Sequence, residues 1–141
     1  MQVREILRIK GHALFTTTPD APVVDAVKVM AHNDIGSLIV MDHGRLVGLL
    51  TFREVLEALA DRDGALGGVI VGEVYERDPL IAQPDLEVME LRRVMLERHA
   101  RYVPVMEGTT LLGVVSFHDV AKAVLEDQSF ENQMLQSYIN T

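Results

Sequence analysis

The chain has 141 residues, of which 48% are hydrophobic, and its 21 acidic and 13 basic side chains give a formal net charge of -8. This acidity disfavours nucleic acid as a partner, because negative charge repels phosphodiester backbones. The absence of cysteine excludes disulfides and Cys-ligated zinc, and the lack of a long apolar run predicts a cytoplasmic protein without a membrane partner.

The predicted elements begin with a short helix, in which Val3, Ile6 and Leu7 have helical spacing, and a short strand at 13–15. Asp20 is then expected to cap a helix whose apolar positions continue to Met30. Two apolar runs at 37–41 and 46–50 enclose a polar turn and predict a hairpin. A second amphipathic helix follows at 52–60.

The second half of the chain repeats this order. A glycine-containing connector at 61–68 leads into a short helical turn around Val71, Val74 and Tyr75. Residues 84–120 then align without a gap with residues 19–55, and 11 of the 37 paired positions are identical. Asp85 takes the predicted capping position of Asp20. Self-similarity at a constant offset indicates two copies of one structural unit. Because each copy combines two helices with a hairpin, we predict an α/β (α+β) fold.

We predict three segments. Residues 1–68 form the first repeat with its N-terminal helix and connector, residues 69–128 form the second repeat, and residues 129–141 form a C-terminal amphipathic helix. The helix is predicted from its apolar residues, which are Phe130, Met134, Leu135, Tyr138 and Ile139. This apolar face suits either a cap over the core or a contact in a dimer.

Each repeat carries the same motif at the start of its closing helix. The two copies read Gly48-Leu49-Leu50-Thr51-Phe52-Arg53-Glu54 and Gly113-Val114-Val115-Ser116-Phe117-His118-Asp119. In one interpretation Thr51 and Ser116 are N-caps, and the carboxylates three residues later complete capping boxes. In the other, those carboxylates accept hydrogen bonds from the two vicinal hydroxyls of a ribose, and the hydroxyls reach ribose or phosphate. The two roles are compatible.

Two such motifs in an ungapped repeat resemble the cystathionine beta-synthase (CBS) domain pair, also called a Bateman module. The Gly11-His12 lead-in and the C-terminal helix look like those of stand-alone bacterial members. The resemblance implies two pseudo-symmetric CBS repeats, each a small sheet flanked by two helices, packed through their sheets. It also implies two clefts that hold AMP, ADP, ATP, NAD or S-adenosylmethionine, with AMP as the expected ligand and no required cofactor.

The resemblance further implies which residues contact the nucleotide. One cleft combines Ser116 and Asp119 with Thr18, Ile35, Gly36 and Ser37, and the other combines Thr51 and Glu54 with Ala100, Arg101 and Tyr102. Arg101 stands where some family members hold the phosphate with a basic residue, and Arg53 and His118 are further candidates. Glu54 departs from the usual aspartate, and its extra methylene is expected to push the carboxylate further into the cleft.

The resulting hypothesis is a regulatory adenosine-nucleotide sensor, not an enzyme, that acts through conformational or oligomeric change as a homodimer with a protein partner. The alternative is a ligand-free module for dimerisation or protein interaction. An enzyme is disfavoured because the chain has no Walker loop, Gly-x-Gly-x-x-Gly fingerprint or Gly-x-Ser-x-Gly elbow. Its five histidines include no pair four residues apart, so neither catalytic residues nor a metal site are predicted.

Overall fold

The computed structural model describes residues 1–11 and 13–139, with only the backbone of 128–131, so His12 of the expected lead-in and the side chain of Phe130 lie outside the described part. The described residues form five α-helices, which are α1 (Val3–Lys10), α2 (Val23–Asn33), α3 (Phe52–Asp61), α4 (Val88–Arg98) and α5 (Phe117–Ile139). The strands are β1 (Thr16–Thr17), β2 (Ser37–Asp42), β3 (Arg45–Thr51), β4 (Glu76–Arg77), β5 (Tyr102–Glu107) and β6 (Thr110–Ser116), and a short 3-10 helix spans Val71–Glu73.

The chain folds as two compact units whose boundaries differ from the predicted segments. The first unit comprises residues 13–80, and the second unit combines residues 1–12 with residues 81–141. The predicted division after residue 68 does not coincide with these unit boundaries, and as a division between sequence repeats it stays a prediction. Helix α1 belongs to the second unit because it contacts β6 and α5 there. Val69 and Val71 belong to the first unit because they are buried in its core.

The first unit contains a four-stranded sheet in the order β1-β2-β3-β4, in which β1 is parallel to β2 and the other pairs are antiparallel. The predicted hairpin is confirmed as β2 and β3. It turns at His43 and Gly44, with φ of 51° and 77°, as a two-residue left-handed turn requires. Helix α2 buries Val23, Ala26 and Met30 in the core, which confirms the apolar spacing of this helix. The first strand lies at Thr16–Thr17, slightly beyond the predicted 13–15.

The second unit contains the hairpin of β5 and β6. Helix α4 buries Val88, Leu91 and Met95, as the repeated spacing predicts. Helix α5 continues without a break from Phe117 to Ile139, so the prediction of a separate helix from residue 129 is wrong. No glycine or proline interrupts this segment, and such residues are what usually end a helix. None of the described helices is both long and apolar enough to span a membrane.

The far end of α5 does not cover the core. Leu135 is 61% exposed and Ile139 is 80% exposed, so the interpretation of this helix as a cap is wrong. An apolar side chain that covers a core loses most of its contact with solvent, and these two side chains do not. The other interpretation, a contact in a dimer, stays a prediction.

The predicted capping role of Asp20 and Asp85 is also wrong. Helices α2 and α4 have Pro22 and Glu87 at their N-cap positions, and neither helix has a side-chain cap. Asp20 lies too far from the first turn, and its Oδ1 instead accepts a hydrogen bond of 2.6 Å from the Thr18 hydroxyl. That bond is the main cause of a lowered pKa for Asp20.

Another segment packs closely against the glycine of each motif. A Cβ atom at Gly48 would lie 2.1 Å from the backbone oxygen of Glu76, and one at Gly113 would lie 2.8 Å from Cδ2 of Leu7. Each glycine thus admits the segment that packs across its hairpin. In the first unit that segment is backbone of a paired strand. In the second unit it is the end of a flexible side chain.

We predict that Gly48→Ala lowers the free energy of unfolding by about 1–3 kcal/mol, because strand β4 must move to make room. Gly113→Ala should cost clearly less, because Leu7 can change its rotamer. Urea denaturation of the two variants and the unmodified chain measures both losses. Equal losses, or a neutral Gly48→Ala, would contradict the packing described here.

Candidate functional site

In the first unit, β3 runs directly into α3 through a closed capping box. The backbone nitrogen and the hydroxyl of Thr51 donate to Oε1 of Glu54 at 2.8 Å and 2.7 Å. The Thr51 hydroxyl oxygen also accepts from the backbone nitrogen of Arg53 at 3.2 Å. Thr51 is 9% exposed and Glu54 is 7% exposed. This carboxylate is therefore committed to the start of its own helix.

The expectation that Glu54 projects further into a cleft is wrong. The extra methylene has the opposite effect, because it lets the side chain fold back far enough to reach both the nitrogen and the hydroxyl of the N-cap residue. A capping box satisfies donors that a helix N-terminus otherwise leaves unpaired.

The equivalent junction in the second unit is more open. The backbone nitrogen of Ser116 donates to Oδ2 of Asp119 at 2.9 Å, and the backbone nitrogen of Asp119 donates to the Ser116 hydroxyl oxygen at 3.0 Å. The side chain of Asp119 is 18% exposed. Both capping interpretations are thus confirmed, but this carboxylate keeps contact with solvent.

The ammonium group of Lys10, which the sequence analysis did not include in the site, contacts this junction. Nζ of Lys10 donates to Oδ2 of Asp119 at 2.7 Å and to the carbonyl oxygen of Val114 at 2.8 Å. Lys10 is the last residue of α1, which lies far from the motif in sequence. Local spacing gives no signal for this ion pair, because it depends on α1 packing against β6.

The ion pair governs the electrostatics of Asp119. Partial burial raises the pKa of this carboxyl, but the hydrogen bond from Lys10, the bond from the Ser116 backbone and the charge of Lys10 outweigh burial, so the net pKa is lowered. Burial also raises the pKa of Tyr102, with Arg101 opposing the change and Asp119 adding to it. Tyr102 is therefore close enough to Asp119 to respond to its charge.

The two capping hydroxyls hold their carboxylates in a similar way. The Thr51 hydroxyl donates its proton to Glu54. The Ser116 hydroxyl accepts from the backbone nitrogen of Asp119, and its hydrogen bond to the carboxylate helps to lower the pKa of Asp119. The two junctions therefore differ in the exposure of the carboxylate and in the cation that binds it.

The other predicted residues of the first unit surround Thr51 or lie at the surface. Ser37 pairs across the hairpin with Thr51, and the carbonyl oxygen of Gly36 accepts from the backbone nitrogen of Phe52 at 3.2 Å. Ile35 is partly buried against the core. Arg53 is exposed and pairs with Glu57 at 3.1 Å. Thr18 binds Asp20, as described above.

The corresponding residues of the second unit surround Ser116. Tyr102 pairs across the hairpin with Ser116, and the carbonyl oxygen of Arg101 accepts from the backbone nitrogen of Phe117 at 2.8 Å. Ala100 donates its backbone N–H to Met95 at 3.0 Å. Arg101 and His118 have exposed side chains. Each unit thus gathers its own residues, and the grouping across the repeats that the resemblance implies stays a prediction.

A metal centre is not visible in these units. Among the side chains that the structure describes, no three histidine, aspartate or glutamate residues lie close enough together to hold an ion. The junction at Ser116 brings one carboxylate into contact with one hydroxyl and one ammonium group.

Comparison with known proteins agrees with this architecture. The sequence profile of the CBS domain matches residues 3–61 and 71–126. A mitochondrial CBS domain-containing protein of Arabidopsis thaliana, CBSX3, is 30% identical over 97% of this chain and 71% of its own length. The fold and the two motifs therefore define a CBS-domain pair, a class of regulatory module. The chain belongs to the CBS domain family.

Solved structures show the same fold. A CBS-domain containing protein from Agrobacterium tumefaciens superimposes with a TM-score of 0.83 at 28% identity, covering 87% of this chain and 98% of that one. The CBS domain pair of protein MJ0100, solved in complex with 5-methylthioadenosine and S-adenosyl-L-methionine, has a TM-score of 0.78 at 23% identity. That comparison covers 90% of this chain and 98% of the other.

We predict that Lys10→Gln raises the pKa of Asp119, because burial is then opposed only by the bonds from Ser116. In the unmodified chain the folded pKa lies below the ordinary 3.8. The ion pair therefore stabilises the fold fully above that value and loses its effect as the pH falls through the folded pKa. A titration of the Asp119 carboxyl chemical shift by NMR measures the change. An unaltered pKa in Lys10→Gln would show that the pair does not hold the carboxylate.

Proposed function

We propose that this CBS-domain chain is a regulatory module that binds an adenosine nucleotide at the Ser116–Asp119 junction and transmits binding as a change in conformation or association. The observation that carries the proposal is the partly exposed carboxylate of Asp119, which lies beside the Ser116 hydroxyl and pairs with Lys10. The ligand class is AMP, ADP, ATP or NAD, with AMP as the simplest member.

The geometry of the junction suits a ribose. Vicinal hydroxyls are two donors on adjacent carbons, and a carboxylate can accept from both. The bonds from the Ser116 backbone and from Lys10 both go to Oδ2 of Asp119. The side chain of Asp119 is 18% exposed, so a ribose hydroxyl can reach the carboxylate. The Ser116 hydroxyl and the N-terminus of α5 favour an anionic group nearby.

The junction at Thr51 suits a structural role as a helix cap and not ligand binding. The Glu54 carboxylate and the Thr51 hydroxyl are both buried and are bonded to each other. A ribose would have to break this capping box before it could bind, and a lost cap costs about 1 kcal/mol. We therefore assign the nucleotide to Asp119 and not to Glu54.

The comparison structures support the choice of an adenosine compound. Protein MJ0100 holds 5-methylthioadenosine and S-adenosyl-L-methionine on a fold of this class. Those ligands share the adenosine moiety and differ at the 5′ position, so the comparison supports recognition of adenosine and leaves the 5′ group to this chain's own residues. Arg101, exposed beside Tyr102, is a candidate partner for a phosphate.

One observation favours a second function, which is association without a ligand. The outer end of α5 exposes Leu135 and Ile139, and apolar groups on an extended helix suit a protein contact. In that function the capping boxes only stabilise the starts of their helices. Measurement of AMP binding distinguishes the two functions, because only the first requires a nucleotide.

We predict that Asp119→Ala weakens AMP binding by about tenfold or more, because it removes a charge-assisted acceptor of the ribose. Glu54→Ala is the matched control, since it also removes a capping-box carboxylate but should leave AMP affinity unchanged. Isothermal titration calorimetry measures both affinities, and thermal unfolding verifies that each variant is folded.

Two results would count against this assignment. Loss of AMP binding in Glu54→Ala but not in Asp119→Ala would move the site to the first unit. An absence of heat and of thermal shift with AMP, ADP, ATP, NAD and S-adenosylmethionine at millimolar concentration would favour the ligand-free interaction module.

A further inference from the structure

Lys10 places a positive charge directly against Asp119. Its ammonium group contacts both Oδ2 of Asp119 and the carbonyl oxygen of Val114. These contacts are only possible because α1 is fixed by its buried residues Val3, Ile6 and Leu7. The lysine is therefore held beside the junction by the fold, while its side chain remains 40% exposed and can move.

The charge balance of the junction changes when a ligand binds. A ribose whose two hydroxyls both donate to Asp119 must share Oδ2 with Lys10, because Oδ2 already accepts from the lysine. A phosphate on the same ribose adds negative charge near Asp119, which would be repelled without a compensating cation. Lysine is a flexible point charge with three donors, so it can remain near the carboxylate and also bind a phosphate oxygen.

The first unit lacks this arrangement. Glu54 receives its hydrogen bonds from Thr51, and no cationic side chain in the described part of the chain bonds to it. If Val3, Ile6 and Leu7 are aligned with Val71, Val74 and Tyr75, the position of Lys10 falls on Asp78. The two repeats therefore differ in the sign of the charge that their lead-in segments carry at this point.

We propose that Lys10 is a specificity-determining residue that exchanges part of its contact with Asp119 for a phosphate, so that the site prefers 5′-phosphorylated adenosine to adenosine. This inference rests on the proposed function. An uncharged adenosine must compete with the ion pair and gains nothing in return. A ligand with a positive charge at the 5′ position, such as S-adenosylmethionine, is disfavoured by repulsion from the same ammonium group.

The test compares AMP with adenosine on the full chain. The measured quantity is the ratio of the two dissociation constants, adenosine over AMP, obtained by calorimetry for the unmodified chain, Lys10→Gln and Lys10→Arg. We expect Lys10→Gln to lower this ratio by about tenfold, the effect of one charge-assisted hydrogen bond, with weaker AMP binding and unchanged or tighter adenosine binding. Lys10→Arg, which retains the charge, should keep most of the preference.

Lys28→Gln is the matched control, because it removes the same charge from an exposed position on α2 in the first unit and should leave the ratio unchanged. Thermal unfolding verifies that the variants are folded, and Lys10→Met, which keeps an apolar stem, provides a second measurement of the ratio. An unchanged ratio in Lys10→Gln and Lys10→Met, or an equal loss for both ligands, would overturn the inference. A fall in the ratio of the same size in Lys28→Gln would also overturn it. Failure of the unmodified chain to bind either ligand would instead refute the proposed function, and this inference with it.

Discussion

The start of each closing helix must satisfy backbone N–H groups that have no partner within the helix, and this requirement decides what each repeat can offer a ligand. Both repeats meet it with a hydroxyl residue and a carboxylate three positions later. In the first unit, Glu54 is long enough to bind both donors of Thr51. In the second unit, the shorter Asp119 binds the backbone of Ser116 and stays partly exposed to solvent. The two carboxylates, which differ by one methylene group, therefore differ in their access to solvent.

The second determinant is the segment that packs across each hairpin. Gly113 has no side chain, so Leu7 can lie directly against it. Because Leu7 and Lys10 lie one helical turn apart in α1, the same packing places the lysine next to Asp119. The packing of Leu7 against Gly113 thus also determines which charged side chain lies beside Asp119. The segment that packs against Gly48 is a short strand and supplies no such cation to Glu54.

Much of the architecture is encoded locally and could be predicted from the sequence. The alternation of helix, hairpin and helix, the two-residue turn at His43 and Gly44, and both capping boxes follow from residue types at short spacing. The internal repeat could also be predicted, because its two copies align without a gap. The structure agrees with this alignment: the corresponding residues Asp34 and His99 both end their helices in a left-handed conformation, with φ of 50° and 53°.

The features that could not be predicted depend on contacts between residues distant in sequence. Helix α1 packs within the second unit, although it precedes the first repeat in sequence, and the periodicity of Val3, Ile6 and Leu7 does not indicate which repeat it joins. The pairing of Lys10 with Asp119 follows from that packing and was missed for the same reason. The expectation that Glu54 extends into a cleft was wrong, because the length of a side chain does not show whether its carboxylate extends away from the helix or folds back onto the N-cap residue.

The most direct test of the central claim is a titration of the chain with AMP, followed through its backbone amide chemical shifts by NMR. If the nucleotide binds the junction in the second unit, the amides of Ser116 to Asp119 should show large, saturable shifts, and those of Thr51 to Glu54 should change little. Saturable shifts concentrated at Thr51 to Glu54, or none at either junction, would contradict the account.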